Sequence, residues 1–169
     1  MRLLGIVHVA VDNEQRAIAV GAPKSSLENL INELRQRGIK IHEFHEVGAV
    51  HTPYMNEAAN NLKQLVDSEN FRDKFVNPRI GLIGNYSASL VTDAKGIIAE
   101  VYNQLNNLVK WRESIAFMSK NLEIRKVLVV GLDKKKYLEK ILMANVENFY
   151  VMTVNSIDSL GKVEDFLAA

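Results

Sequence analysis

The stretch Lys126-Val127-Leu128-Val129-Val130-Gly131 limits the folds open to this chain more than any other. Its β-branched apolar run reads as a parallel strand buried on both faces, because a strand with one wet face alternates apolar and polar side chains. Gly131 closes the run, and a helical segment over residues 135–143 follows, carried by Leu138, Ile141 and Leu142. A second strand is expected over 149–154. Strand, helix and strand in that order place the two strands parallel, with the helix packed on them. The C-terminal two-thirds is therefore expected to be α/β.

The N-terminal part reads differently. Residues 3–11 and 16–20 are rich in Val, Ile and Ala, and Asp12-Asn13-Glu14-Gln15 between them is turn chemistry, so a hairpin or two neighbouring strands is expected. Ser25-Ser26-Leu27-Glu28 has capping-box spacing, with Ser25 as the cap. Leu27, Leu30, Ile31 and Leu34 then share one helical face, and Gly38 ends the helix. Residues 39–44 alternate apolar and polar, the pattern of a half-buried strand. Residues 1–46 thus read as a ββαβ unit of α+β type.

Between these parts, residues 56–70 are helical, with Ala59, Leu62, Leu65 and Val66 on one side. Short strands are expected over 80–83 and 89–91. Thr92-Asp93 can cap a helix whose face is Ile98, Val101, Tyr102 and Leu105. Another helix covers about 109–122 with Trp111, Ile115 and Met118 in register, and a terminal helix covers 156–167. No repeat, low-complexity segment or linker interrupts the chain.

At 169 residues, 47% of them hydrophobic, the chain is one domain, with room for a small appendage. A formal net charge of +1 gives no global field directed at nucleic acid or membrane. There is no cysteine, which excludes disulfides, zinc–thiolate sites and a thiol nucleophile, and fits a reducing cytoplasm. The apolar run 3–11 is too short to span a bilayer and has no cleavage site after it. His42 and His45 are three apart, which in a strand puts them on opposite faces, so they and Glu46 do not converge on a metal. Gly81-Leu82-Ile83-Gly84 sits in a strand with little basic company, and no phosphate loop or G-x-G-x-x-G is present. No metal or cofactor is implied. Lys134-Lys135-Lys136, with Lys126 and Lys140 nearby, reads either as a solvated helix start or as a dock for an acidic partner. Three cations in a first helical turn oppose the helix dipole, which favours a reason for their presence.

The main candidate for chemistry is His51, in Val47-Gly48-Ala49-Val50-His51-Thr52-Pro53-Tyr54-Met55. It lies on an expected strand-to-helix turn. A histidine before Thr-Pro is more often a loop residue than a base, but the unperturbed pKa of an imidazole lies near physiological pH, so one there can serve as a general base. No nucleophile accompanies it. The nearest serines, Ser87 and Ser89, lack the second glycine and the following helix of a G-x-S-x-G elbow.

From Val9 onward the order of landmarks resembles the C-terminal half of malonyl-CoA:acyl carrier protein transacylases and the acyltransferase domains of polyketide synthases. The matching residues begin with the Asp12-Asn13 turn, the strand ending at Gly21 and the helix after it. Then come Gly48-Ala49-Val50-His51-Thr52-Pro53-Tyr54-Met55 and Glu57-Ala58-Ala59, Ile83-Gly84-Asn85, and Val91-Thr92-Asp93. Gln104-Leu105, Val109-Lys110-Trp111-Arg112-Glu113-Ser114 and Asn155-Ser156-Ile157-Asp158-Ser159 complete the series. The resemblance implies a hydrolase-like parallel-sheet α/β domain, here its C-terminal part over 47–169. A shortened ferredoxin-like α+β subdomain over 1–46 would precede it. It implies malonyl transfer from coenzyme A to acyl carrier protein, with His51 as the base and Gln104, whose backbone lies close to it, as its orienting partner. The carrier would meet Lys134, Lys135 and Lys136.

Departures from the family pattern bear on activity. The oxyanion segment, the G-H-S-L-G serine and the malonyl-binding arginine lie upstream in that family and are not among these residues. Val50 replaces the usual phenylalanine, Leu108 the usual proline, and Gly131-Leu132-Asp133-Lys134 the usual Gly-Pro-Gly-Lys. The chain is accordingly expected to be inactive alone, and to work with a separate N-terminal half or as a homo-oligomer. The alternative is a non-catalytic acyltransferase-like module that binds acyl carrier protein.

Overall fold

The computed structural model describes residues 6–44, 48–131 and 136–169. Strands β1 (His8–Glu14) and β2 (Ala17–Gly21) form an antiparallel hairpin. The turn falls at residues 15–16, later than expected, because irregularities between Val9 and Val11 and between Asp12 and Glu14 absorb the polar residues within β1. Helix α1 (Lys24–Gln36) also departs from expectation: Pro23 stands at its N-cap and Ser25 makes no capping hydrogen bond. The φ of −57° at Pro23 suits a helix entry, and its carbonyl already accepts from the N–H groups of Ser26 and Leu27, each at 3.0 Å. Ser25 is therefore inside the first turn. Gly38 ends the helix at φ 71°, as its freedom at positive φ allows.

Residues 39–44 form no strand, which corrects the ββαβ reading to ββα. Alternation alone does not make a strand when no second chain segment takes up its hydrogen bonds. Ile39 and Phe44 accordingly remain 49% and 69% exposed.

A single 3-10 turn over Pro53–Met55 leads into α2 (Asn56–Asp67), followed by the short α3 (Glu69–Arg72). Ala59 and Val66 bury the inner face of α2 against α4 (Ala94–Asn106), while Leu65, expected on that face, is 49% exposed. Of the expected cap pair, Asp93 does the capping, its Oδ1 accepting from the Gly96 N–H at 2.7 Å. Strands β3 (Leu82–Ile83) and β4 (Leu90–Val91) pair antiparallel, since the residues between them are too few for a parallel crossover.

Helix α5 (Trp111–Lys120), β5 (Lys126–Val130), α6 (Tyr137–Asn145) and β6 (Tyr150–Val154) follow. Strands β5 and β6 run parallel, Lys126 opposite Tyr150 and Val130 opposite Val154, as the strand–helix–strand order requires. Burial of β5 on both faces is not observed. Only Val129 is buried, and Val130 is 78% exposed, because β6 is the one strand that pairs with β5 among the described residues. The terminal helix is two short ones, α7 (Ile157–Leu160) and α8 (Val163–Ala168), separated at Gly161 and Lys162. A reciprocal Ser156–Ser159 cap starts the first of them.

The main core joins Ile115 of α5, Val129 of β5, Ile141 and Leu142 of α6, and Phe149, with Trp111, Met118 and Val151 packed around them. The hairpin is tied to this body. Val109 donates its N–H to the Ala10 carbonyl at 2.9 Å, and its carbonyl accepts from the Asp12 N–H at 3.0 Å. Arg112 grips the Asp12 carboxylate through Nε at 3.1 Å and a terminal nitrogen at 2.8 Å. Among the described residues no helix is long and apolar enough to cross a membrane. Ile115 is 1% exposed and Ile18 57%, so Ile115→Ala should destabilise the fold by about 2–5 kcal/mol and Ile18→Ala by less than about 0.5 kcal/mol in urea denaturation.

Candidate active site

His51 sits at a crowded turn where β2, α2 and α4 approach. A Cβ on Gly21 would stand 2.9 Å from Thr52 Cγ2 and 3.2 Å from Ala49 Cβ, so the end of β2 lies flush against this turn and only glycine fits. Thr52 is fully buried. Its hydroxyl donates to the Ala49 carbonyl at 2.6 Å and accepts from the Tyr54 N–H at 3.4 Å, closing the turn and starting the Pro53–Met55 segment.

Between these fixed neighbours His51 adopts φ 62°, a conformation that few residues other than glycine take up. Two bonds to the end of α4 hold it there. The His51 N–H donates to the Leu105 carbonyl at 2.8 Å, and Nδ1 lies 2.5 Å from the Gln104 carbonyl. Both carbonyls belong to the last turn of α4, where backbone oxygens have no acceptor role within the helix. The helix end needs donors and the turn supplies two.

The chemical consequence follows from donor and acceptor rules. A carbonyl oxygen can only accept, so the Nδ1 contact puts the imidazole proton on Nδ1 and leaves Nε2 with its lone pair. Among the described residues Nε2 has no hydrogen-bond partner. The ring is thus set as a proton acceptor. The Gln104 side chain contributes little to this. Its Oε1 lies 3.5 Å from Asn85 Nδ2, a long contact, and it is the backbone that meets His51.

Beside the site, the turn 84–87 is fastened by Glu100 of α4, a residue the sequence reading passed over. Its carboxylate accepts from the N–H of Tyr86 at 2.9 Å and of Ser87 at 3.0 Å, and it fills the space that a side chain on Gly84 would need. Asn85 O accepts from the Lys110 N–H at 2.8 Å, which joins this turn to the start of α5. Glu100 lies on the polar side of α4, opposite Ile98, Val101 and Leu105, so no local pattern singled it out. The Asp12–Arg112 pair also escapes the sequence, because its members stand 100 residues apart. Ser87 lies in the turn and Ser89 just before β4, and neither bonds to His51.

His51 and Gln104 are therefore brought together. Of the basic run, Lys134 and Lys135 lie outside the described residues. Lys136 is the N-cap of α6, at φ 55°, with Nζ 3.4 Å from Glu139 Oε1 and its side chain 69% exposed. The helix begins only after it, so Lys136 precedes the first turn rather than opposing the dipole within it. Among the described residues no three His, Asp or Glu side chains gather as a metal site. Thr52→Val removes the buried hydroxyl from between Ala49 and Tyr54, and should cost about 1–3 kcal/mol in thermal or urea unfolding, with faster hydrogen exchange at the Tyr54 amide.

No protein-family model matches the chain. The polyketide biosynthesis protein PksE of Bacillus subtilis (strain 168) is 32% identical over 116 residues, 66% of this chain and 14% of that protein. Among solved structures, a malonyl-transacylase in complex with its type II polyketide synthase acyl carrier protein superposes with a TM-score of 0.81 at 21% identity, over 95% of this chain and 50% of that one. The acyl-carrier-protein S-malonyltransferase of Bartonella henselae superposes with a TM-score of 0.78 at 22% identity, over 96% of this chain and 50% of that one. The chain spans about half the length of the solved structures it matches and a smaller share of PksE. It has the mixed α/β fold of one half of a malonyl-CoA:acyl carrier protein transacylase.

Proposed function

We propose that this chain is the base-carrying, C-terminal half of an acyltransferase domain, serving malonyl transfer from coenzyme A to acyl carrier protein. The observation that carries the reading is the 2.5 Å contact of His51 Nδ1 with the Gln104 carbonyl, which prepares Nε2 as the base. Its residues 1–46 stand for a shortened ferredoxin-like subdomain and 47–169 for the catalytic body.

In this reading the other half of the domain supplies the serine and the donors that stabilise the oxyanion. Nε2 of His51 takes the serine hydroxyl proton as that oxygen attacks the malonyl thioester carbonyl. The tetrahedral intermediate collapses with loss of coenzyme A sulfur, which leaves with the proton from Nε2. In the second half-reaction Nε2 takes the proton of the carrier's phosphopantetheine thiol as its sulfur attacks the acyl-serine. The proton then returns to the serine oxygen. The positive imidazolium formed in each step faces the carbonyl end of α4, where a cation is favoured. Lys134, Lys135 and Lys136 fit the docking of an acidic carrier.

Transfer of malonyl to the carrier, read by intact mass, tests this in a mixture with the half of the Bartonella henselae enzyme that this chain does not match. His51→Gln should lower the rate about 10²–10⁴-fold with the fold unchanged by circular dichroism. Gln104→Ala should stay within about threefold of the parent, because the backbone carbonyl survives it. Equal rates for the parent and His51→Gln would refute the assignment. Reversing the charge of Lys134, Lys135 and Lys136 should abolish carrier binding in titration calorimetry; unchanged affinity would remove the lysines from the reading.

A further inference from the structure

Helix α4 carries the carbonyls that hold His51, so the rotation of α4 about its own axis decides whether they meet it. Its contact with α2, which buries Ala59 and Val66 there, is apolar, and apolar burial has no preferred direction. On a backbone cylinder of roughly 2.3 Å radius, a roll of about 20° moves an atom by about 0.8 Å. Directed away from His51, such a shift would stretch the 2.5 Å contact of Nδ1 with the Gln104 carbonyl past ordinary hydrogen-bond range. A directional tie is needed.

Glu100 is placed to supply it. It stands one helical turn before Gln104 on the same side of α4. Its two oxygens engage separate donors, Oε2 accepting from the Tyr86 N–H at 2.9 Å and Oε1 from the Ser87 N–H at 3.0 Å. Successive backbone N–H groups of a turn make a small concavity for an anion, and this carboxylate fills it, since a Cβ on Gly84 would overlap Oε1 and Cδ. Among the described residues no Lys or Arg pairs with Glu100, so backbone amides hold the charge. The turn is itself fixed to the body. The Gly84 carbonyl accepts from the Ala88 N–H at 2.9 Å and from the buried Ser114 hydroxyl at 3.4 Å, and the Asn85 carbonyl from the Lys110 N–H at 2.8 Å. At the two ends of α4, exposed neutral bonds join Ala94 N–H to Asn77 Oδ1 at 2.9 Å and Asn106 to Asn56 at 2.8 Å. Bonds to a carboxylate are about twice as strong as such neutral ones.

We infer that Glu100 is a positioning residue for His51. Its carboxylate, seated on the Tyr86 and Ser87 amides, fixes the rotation of α4, and with it the place of the Gln104 carbonyl that keeps the imidazole proton on Nδ1. This inference rests on the reading of His51 as the base, and it adds what holds the ring in its basic form.

Nitrogen-15 NMR of the full chain labelled in histidine reads the tautomer, with His51→Gln assigning its signals among the four histidines. The parent should carry the His51 proton on Nδ1. Glu100→Gln keeps the size of the side chain but brings one acceptor and two donors to a pair of N–H groups, so it should give the mixed tautomers of an imidazole without a fixed acceptor. Gly84→Ala leaves the carboxylate in the chain but puts a methyl in its seat, and should do the same. The two changes combined should be no worse than either alone, because both break one contact. Ile141→Val, in the main core, should lower the unfolding temperature and leave the tautomer as it was. In the mixture with the unmatched half of the Bartonella henselae enzyme, Glu100→Gln should lower kcat about 10–10²-fold with KM for malonyl-CoA within about threefold of the parent.

An Nδ1 proton unmoved by both variants overturns the inference, and so do additive losses in the double variant. The same loss in Ile141→Val overturns it too, since any loosening of the fold would then suffice. Malonyl transfer separates the two claims. His51-dependent transfer with a tautomer indifferent to Glu100 retires the positioning and keeps the base; a Glu100-dependent tautomer without such transfer retires the base and keeps the positioning.

Discussion

The end of α4 is the constraint on which the candidate site depends. A helix terminus presents backbone oxygens that need donors, and here the Gln104 and Leu105 carbonyls find them in the side chain and main chain of one residue, His51. That double engagement compensates for the left-handed backbone of His51 and selects its tautomer. Everything nearby serves to deliver the histidine to that place. Thr52 closes the turn from inside, Gly21 lets β2 come close, and the Asn56–Asn106 side-chain bond at 2.8 Å keeps the start of α2 beside the end of α4. Glu100, one turn earlier in α4, fixes the neighbouring 84–87 turn in the same manner, with a carboxylate accepting two backbone N–H groups.

How much of this was written in the sequence depended on whether the signal was local. The hairpin, the Gly38 stop and the Asp93 cap each follow from residues close in sequence, the parallel β5–β6 pair follows from the strand–helix–strand order, and each appears. Ser25 misled because Pro23, two residues earlier, was the stronger helix starter. Residues 39–44 misled because a pleated pattern says which side chains would share a face, and says nothing of whether a neighbouring strand is there to pair. The β5 run misled in a related way: Val127 to Val130 carries the composition of a strand covered on both sides, while the described residues cover it only in part. Composition records the environment for which a segment is suited.

The site divides along the same line. His51 and Gln104 were legible through resemblance to a family pattern, and their contact is a backbone one that no side-chain rule would have located. Glu100 and the Asp12–Arg112 pair were not legible, since their partners are backbone amides 13 and 14 residues away and a side chain 100 residues away. The matched malonyl transacylases, at 21–22% identity, speak for the fold; the chemistry assigned to His51 rests on the tautomer argument and the resemblance together.

The bonds that fasten the hairpin also set an order of events for folding. Residues 8–21 can fold back on themselves within microseconds, because their contacts are local. Their anchors cannot: Asp12 waits for Arg112, and the Asn13 carbonyl waits for Asn145, 132 residues further on. During synthesis the hairpin must therefore stand with its inward side chains wet until α5 and α6 have emerged. At a translation rate of roughly 5–20 residues per second, that exposure lasts several seconds. A nascent chain of this topology exposes the inward face of β1 and β2 early and covers it late, so the interval is set by the pace of the ribosome.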